Sequence, residues 1–85
     1  MKPEERLAAF FHNMSHRLQV CGYSASEFHL RMSLAEIGSY LGMTLETVSR
    51  TFSAFQQSGL LEVDKRYVRL TDIQGLRQTF DIRLH

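Results

Sequence analysis

Between Ser33 and Gln57 the chain carries two helix-start signals with a helix-stop glycine between them, and few packing arrangements satisfy all three. Ser33-Leu34-Ala35-Glu36 is a capping-box sequence, in which the Ser hydroxyl accepts the Glu amide while the Glu carboxylate accepts the Ser amide. Leu34, Ile37 and Leu41 then share one helical face, and Gly42 stands where a left-handed residue ends a helix. Thr44 follows, and its side-chain oxygen suits the N-cap of a second helix. Two short helices thus meet across a turn of a few residues, as in a helix-turn-helix. Gly38 lies on the inward face of the first helix, where a missing side chain lets the second approach closely.

The second helix separates into two faces at 3.6 residues per turn. Val48, Phe52 and Phe55 fall together and must face a core. Glu46, Ser49, Arg50, Ser53 and Gln57 fall on the other side with nothing apolar among them. Glu46, Ser49 and Arg50 stand at i, i+3 and i+4 at the start of this helix, the part of a recognition helix that enters a DNA major groove. Arg can donate two hydrogen bonds to guanine O6 and N7, a carboxylate can accept from cytosine N4, and a Ser hydroxyl suits either partner. Taken alone, Glu46 and Arg50 are better read as a solvated ion pair worth about 0.2–0.5 kcal/mol. Two helices alone could equally form a corner with no ligand. The capped pair, the turn and the uninterrupted polar face together favour DNA.

The run from Glu36 to Arg50, Glu-Ile-Gly-Ser-Tyr-Leu-Gly-Met-Thr-Leu-Glu-Thr-Val-Ser-Arg, resembles the helix-turn-helix of the CRP/FNR family (cyclic-AMP receptor and fumarate–nitrate regulators). The likeness extends upstream through Glu5-Arg6-Leu7-Ala8-Ala9-Phe10 and downstream through Phe55-Gln56-Gln57-Ser58-Gly59-Leu60-Leu61. It is closest to the FNR branch, since Ser49 precedes Arg50 where the CRP branch has Gly, and Leu45 precedes Glu46 where CRP-like members carry Arg. The resemblance implies that Glu46, Ser49 and Arg50 read bases in a TTGAT-like half-site. It also implies that the loop Gly22–Glu27 touches RNA polymerase. Relatives carry an N-terminal β-barrel sensor, a long dimerisation helix and, in the oxygen-sensing branch, clustered cysteines. None has a counterpart here, so the expectation is a fragment of a longer regulator, dimeric only in that parent, with no cofactor in this chain and an unknown effector. Thr51 stands where relatives have an apolar residue, predicting a thinner core at that point.

A chain of 85 residues suffices for one domain with a modest core, and its 44% hydrophobic and 22% charged fractions suit a globular protein. The formal net charge is only +1, well short of the basic excess that announces nucleic-acid binding by itself. Placement of charge, not its amount, carries the case for DNA. One cysteine excludes an internal disulfide and a multi-thiolate metal site. Cys21 extends the helical stripe of Leu7, Phe11, Met14 and Leu18, which predicts a small buried hydrophobe. His12 and His16 stand at i,i+4 without further ligands and read as solvated surface. No run approaches a membrane span and no signal peptide opens the chain, so a cytoplasmic setting is expected.

In chain order, Pro3 to about Cys21 forms the longest helix, with Pro3 at its first position, Glu4 and Glu5 in its first turn, and Gly22 ending it. Phe28, Leu30 and Met32 alternate with His29 and Arg31 as a short half-buried strand. After the helix pair, Gly59 closes the second helix. Leu61 and Val63 then pair with Val68 and Leu70 in a hairpin across Asp64-Lys65-Arg66. This is a wing, with Lys65 and Arg66 at its tip and Arg69 on the polar side of the return strand, placed either to meet phosphates or simply to stay solvated as a charged hairpin tip. Thr71-Asp72-Ile73-Gln74 matches a capping box opening a last helix, with Ile73, Leu76 and Phe80 inward, and 81–85 is expected to fray.

The fold class is therefore α+β and mostly helical, a single winged helix-turn-helix over residues 1–85. The expected function is sequence-specific binding of double-stranded DNA by a recognition helix over about 45–58. Glu46, Ser49 and Arg50 read bases, while Ser33, Thr44, Thr47, Lys65 and Arg66 hold phosphates. The alternative is a winged-helix protein–protein module, which near-neutral charge favours. An enzyme is not expected: the one close polar set lies on an open helix face without a histidine.

Overall fold

The structure, a computed structural model, describes residues 2–80. Helix α1 (Pro3–Val20) buries Leu7, Ala8, Phe11 and Ser15. It ends with the Gly22 amide on the Gln19 carbonyl (3.1 Å) and the Tyr23 amide on the Leu18 carbonyl (2.8 Å), the paired closure of a Schellman motif. Cys21 is exposed, contrary to the expectation of a buried hydrophobe. It is the C-cap residue, so the backbone leaves the helix there and the apolar stripe stops short of it.

Both halves of the Ser33 box form. The Glu36 amide donates to Ser33 Oγ (3.1 Å) and the Ser33 amide to Glu36 Oε1 (2.9 Å), opening α2 (Leu34–Leu41). Gly42 adopts φ 73° and ends it, with the Met43 amide on the Gly38 carbonyl at 2.7 Å. Thr44 then caps α3 (Leu45–Gln57) by accepting the Thr47 amide at 3.2 Å. A Cβ added to Gly38 would lie 2.6 Å from the Met43 carbonyl oxygen and 3.4 Å from Val48 Cγ2. The turn therefore passes directly over a bare stretch of α2. Arg6 Nη1 donates to the Leu41 carbonyl (3.1 Å), tying α1 to the end of α2.

Strands β2 (Leu61–Asp64) and β3 (Tyr67–Leu70) form the hairpin in the expected register, Leu61 opposite Leu70 and Val63 opposite Val68. The anticipated strand around Phe28–Met32 is shorter, β1 (Glu27–His29), and pairs antiparallel with β3. The wing is thus part of a three-stranded sheet ordered β1-β3-β2 rather than a free two-stranded hairpin. Alternation signals a strand but not its partner, so the docking of β1 was hidden.

Helix α4 (Ile73–Phe80) is capped by Asp72, whose Oδ1 accepts the Gly75 amide at 2.9 Å, and not by the box expected from Thr71. Thr71 is occupied elsewhere: its hydroxyl donates to the Gly59 carbonyl (2.6 Å) and its amide to the Leu60 carbonyl. Leu76 is fully buried, with Ile73 and Phe80 at the core margin. His16 is exposed as expected, but His12 is half-buried, its ring 5.4 Å from that of Phe80. The fraying expected of 81–85 lies outside the described residues. Across the core, Phe11 meets Phe52 edge to face, with ring centres 5.3 Å apart.

Because a backbone carbonyl, not a mobile side chain, meets the added methyl, Gly38→Ala is expected to destabilise the fold by about 1–3 kcal/mol. The check is a lower urea midpoint with an unchanged slope.

Candidate nucleic-acid interface

Helix α3 turns Val48, Thr51, Phe52 and Phe55 into the core and leaves Glu46, Ser49, Arg50, Ser53 and Gln57 outside. Thr51 is buried, and its hydroxyl donates to the Thr47 carbonyl at 2.7 Å. Its polar atom is therefore satisfied within the helix while the rest of the side chain packs. Glu46 and Arg50 form no ion pair with each other among the described residues. Both side chains keep their hydrogen-bonding capacity for a ligand.

At the head of α3, Thr44 Oγ1 and Thr47 Oγ1 lie 2.9 Å apart while Thr44 also accepts the Thr47 amide. One hydroxyl donates to the other, which leaves one of the two hydroxyl hydrogens available to donate elsewhere. Ser33, Ser49, Ser53 and Gln56 line a cleft with Lys65 and Arg66 between α3 and the wing. A second depression on the other flank of α3 is lined by Thr47 and Arg50 together with Pro3 and Glu4 of α1. Of the sequence-predicted residues, Ser33, Ser49, Lys65 and Arg66 line the cleft on the wing side of α3 and Thr47 and Arg50 the depression on its other flank, while Glu46 and Thr44 line neither. Pro3, Glu4 and Gln56 are neighbours that periodicity did not single out; only tertiary packing brings the head of α1 beside α3.

The tip of the wing is a two-residue turn, Lys65-Arg66. Lys65 takes φ 59°, the one non-glycine positive φ among the described residues. Positive φ at the first turn position only is the type II′ pattern, which favours glycine. The Arg66 carbonyl accepts the Leu30 amide at 2.6 Å, bracing the tip against the chain leaving β1. Arg69 departs from its expected role: its Nη2 pairs at 3.0 Å with Oε1 of Glu62, its register partner on β2. Lys65 and Arg66 therefore carry the exposed positive charge of the wing. Farther along the same outer face, the Tyr67 hydroxyl donates to Glu27 Oε1 (2.9 Å), and this bond to a carboxylate raises the phenol pKa.

The Ser33 amide, and after it the Ser33 hydroxyl, hold the Glu36 carboxyl below the ordinary carboxylate range, with Arg66 adding a smaller attraction. Leu45 is the first helical residue and is 54% exposed, although it stands three residues before Val48 and seven before Phe52. At that end α3 has already left the core.

Residues 5–79 match the family of Crp-like helix-turn-helix domains. The chain belongs to the CRP/FNR family. This CRP/FNR domain is 58% identical over 78 residues to the transcriptional regulatory protein btr of Bordetella pertussis, a match covering 92% of this chain and 32% of that protein. It is 52% identical over 73 residues to the transcriptional activator protein FnrA of Stutzerimonas stutzeri, covering 86% and 30% of the two chains. Its fold superposes on the structure of FixK2 from Bradyrhizobium japonicum with a TM-score of 0.80 and 38% identity, over 92% of this chain and 38% of that one. The chain spans about a third of the length of these relatives. The expected winged helix-turn-helix and the kinship with FNR-type regulators are both upheld. No helix among the described residues is long and apolar enough to cross a membrane.

The lowered Glu36 pKa carries a sign. Its contribution to stability is complete above the unfolded carboxylate pKa and is lost as pH falls through the depressed folded value. Glu36→Gln retains an acceptor for the Ser33 amide but has no proton to gain. Acidification through the carboxylate range is expected to lower the denaturation midpoint of the Gln variant less than that of the parent.

Proposed function

We propose that this CRP/FNR domain binds double-stranded DNA as the sequence-reading part of a transcription regulator, with the start of α3 in the major groove. The observation that carries this reading is the exposed set Glu46, Ser49 and Arg50 on a helix anchored from behind by Val48, Phe52 and Phe55. Arg50 donates to a guanine, Glu46 accepts from a cytosine amine, and Ser49 serves a neighbouring base edge. The half-site is TTGAT-like. On one flank Ser33, Lys65 and Arg66 hold phosphates of one strand; on the other, Thr44 and Thr47 hold those of the opposite strand. Two flanking donor sets suit a helix seated between two phosphate backbones. The domain acts by binding alone, without a cofactor of its own.

Reading a palindrome needs two recognition helices about 34–36 Å apart, so the working form is a dimer assembled in a longer parent chain. The loop 22–27 meets RNA polymerase. Ser24 is committed within this loop, where its Oγ accepts the amides of Ser26 (3.3 Å) and Glu27 (3.2 Å). Tyr23 is 70% exposed and free of that task, which makes it the contact residue. A protein–protein module is the competing reading, since the net charge of +1 is low for a DNA binder. Retention on DNA that weakens with salt separates the two.

In a selection on randomised half-sites, Arg50→Ala is expected to relax the preference at one guanine, a loss of about 1–3 kcal/mol there. An unchanged preferred site would sink the assignment. Lys65→Ala is expected to weaken all sequences alike and to reduce the salt slope by about 1. In the full-length parent, Tyr23→Ala is expected to lower transcription while leaving DNA affinity intact; equal loss of both would remove the polymerase role.

A further inference from the structure

One flank of α1 faces neither the core nor DNA. Phe10, Met14 and Leu18 recur at i, i+4 and i+8, are only half-buried, and form with Met32 the apolar floor of a groove of about 740 Å³. Tyr40 of α2 borders it, its ring edge to face with Phe10 at 5.9 Å, and Tyr23 stands where α1 stops. Both tyrosines are exposed. No residue of α3 or of the wing lines this groove, so a molecule seated in it leaves the DNA-reading face open.

Protein interfaces favour aromatic residues, Met and Arg, and avoid Lys, Glu, Asp and Ser. The lining follows that bias: three aromatic side chains, two methionines and two arginines, with no Lys, Asp, Glu or Ser. The arginines, Arg6 and Arg17, are separated by about 16 Å along α1. Arg6 is held in place by its bond to the Leu41 carbonyl, and Arg17 forms no ion pair among the described residues. Two cations with no carboxylate beside them call for an acidic partner, and a floor several helical turns long calls for an extended apolar face. A helix returns to the same side about every eleven residues, so one laid along α1 can bring a carboxylate to each arginine. Apolar side chains between the two carboxylates then enter the floor.

We propose that this groove docks an amphipathic helix of a second protein, apolar on one face and carrying carboxylates about eleven residues apart. The proposal goes beyond DNA reading and does not depend on it. A second copy of the chain is a poor occupant, because the helices among the described residues already turn their apolar faces to their own core.

The test titrates a synthetic helical peptide into the isotope-labelled chain and follows the backbone amide signals. The peptide carries Leu along one face and two Glu about eleven positions apart; a control carries Lys at both Glu positions. The Glu peptide is expected to bind saturably, to move signals of α1 and α2 around the groove, and to bind about tenfold more tightly than the control. Arg17→Glu is expected to narrow or reverse that preference, and Tyr40→Ala to weaken both peptides. Retention on DNA is expected to stay unchanged in Tyr40→Ala.

Equal binding of the two peptides, no binding of either, or a preference untouched by Arg17→Glu overturns the proposal. Signals that move on α3 instead of the groove overturn it too. Groove signals that shift with the concentration of the chain alone give the site to a second copy, and displacement of the peptide by equimolar dodecanoate gives it to a small amphiphile; either result also overturns it.

Discussion

The presentation of α3 depends on one close approach, that of the Met43 carbonyl to the bare Cα of Gly38. Met43 also donates its amide to the Gly38 carbonyl at 2.7 Å, so the chain folds back on this residue from both sides. With Val48 Cγ2 3.4 Å from where a Cβ would stand, α3 packs against α2 at a distance that any larger residue would increase. The angle between the helices follows from this contact, and the direction in which Glu46 and Arg50 project follows from the angle. Arg6 holds the end of α2 to α1, carrying the same constraint into the longest helix.

The sheet works on the opposite flank. Phe28 and Val68, register partners in β1 and β3, bury their side chains in the core and fix the base of the wing. The bond from the Leu30 amide to the Arg66 carbonyl then braces its tip. A positive φ at Lys65 is tolerable in such a braced turn, and it orients two adjacent cations toward the cleft beside α3. A domain with a net charge of +1 can thus concentrate attraction where a phosphate backbone would run. On the outer face of the same sheet Arg69 is paired with Glu62, and the Tyr67 hydroxyl donates to Glu27.

Features set by neighbours in the chain were legible in the sequence. The Ser33 box, the Thr44 cap, the left-handed Gly42 and the two faces of α3 all stand within a few residues of their causes. The hairpin register followed from alternation on both sides of a short turn. What stayed hidden depends on distant partners. Asp72 displaced Thr71 as a cap because Thr71 is held by the end of α3. Arg69 turned to Glu62 across the sheet, and β1 joined a strand some forty positions away, as the Phe28–Val68 register records. Cys21 failed differently: the stripe was right, but the helix ended just before it. For the interface, the polar face was visible beforehand, whereas its two flanking clefts arise only when α1 and the wing close around α3.

The separation of inward and outward residues on α3 has an evolutionary consequence. Val48, Phe52 and Phe55 belong to the core, while Glu46, Ser49 and Arg50 are exposed and lie outside it. Mutation on the outer side is therefore nearly free of folding penalty. Duplicated copies of such a domain can drift toward new operators while the scaffold beneath stays fixed, and a whole repertoire of regulators becomes reachable from one ancestor by a handful of surface changes.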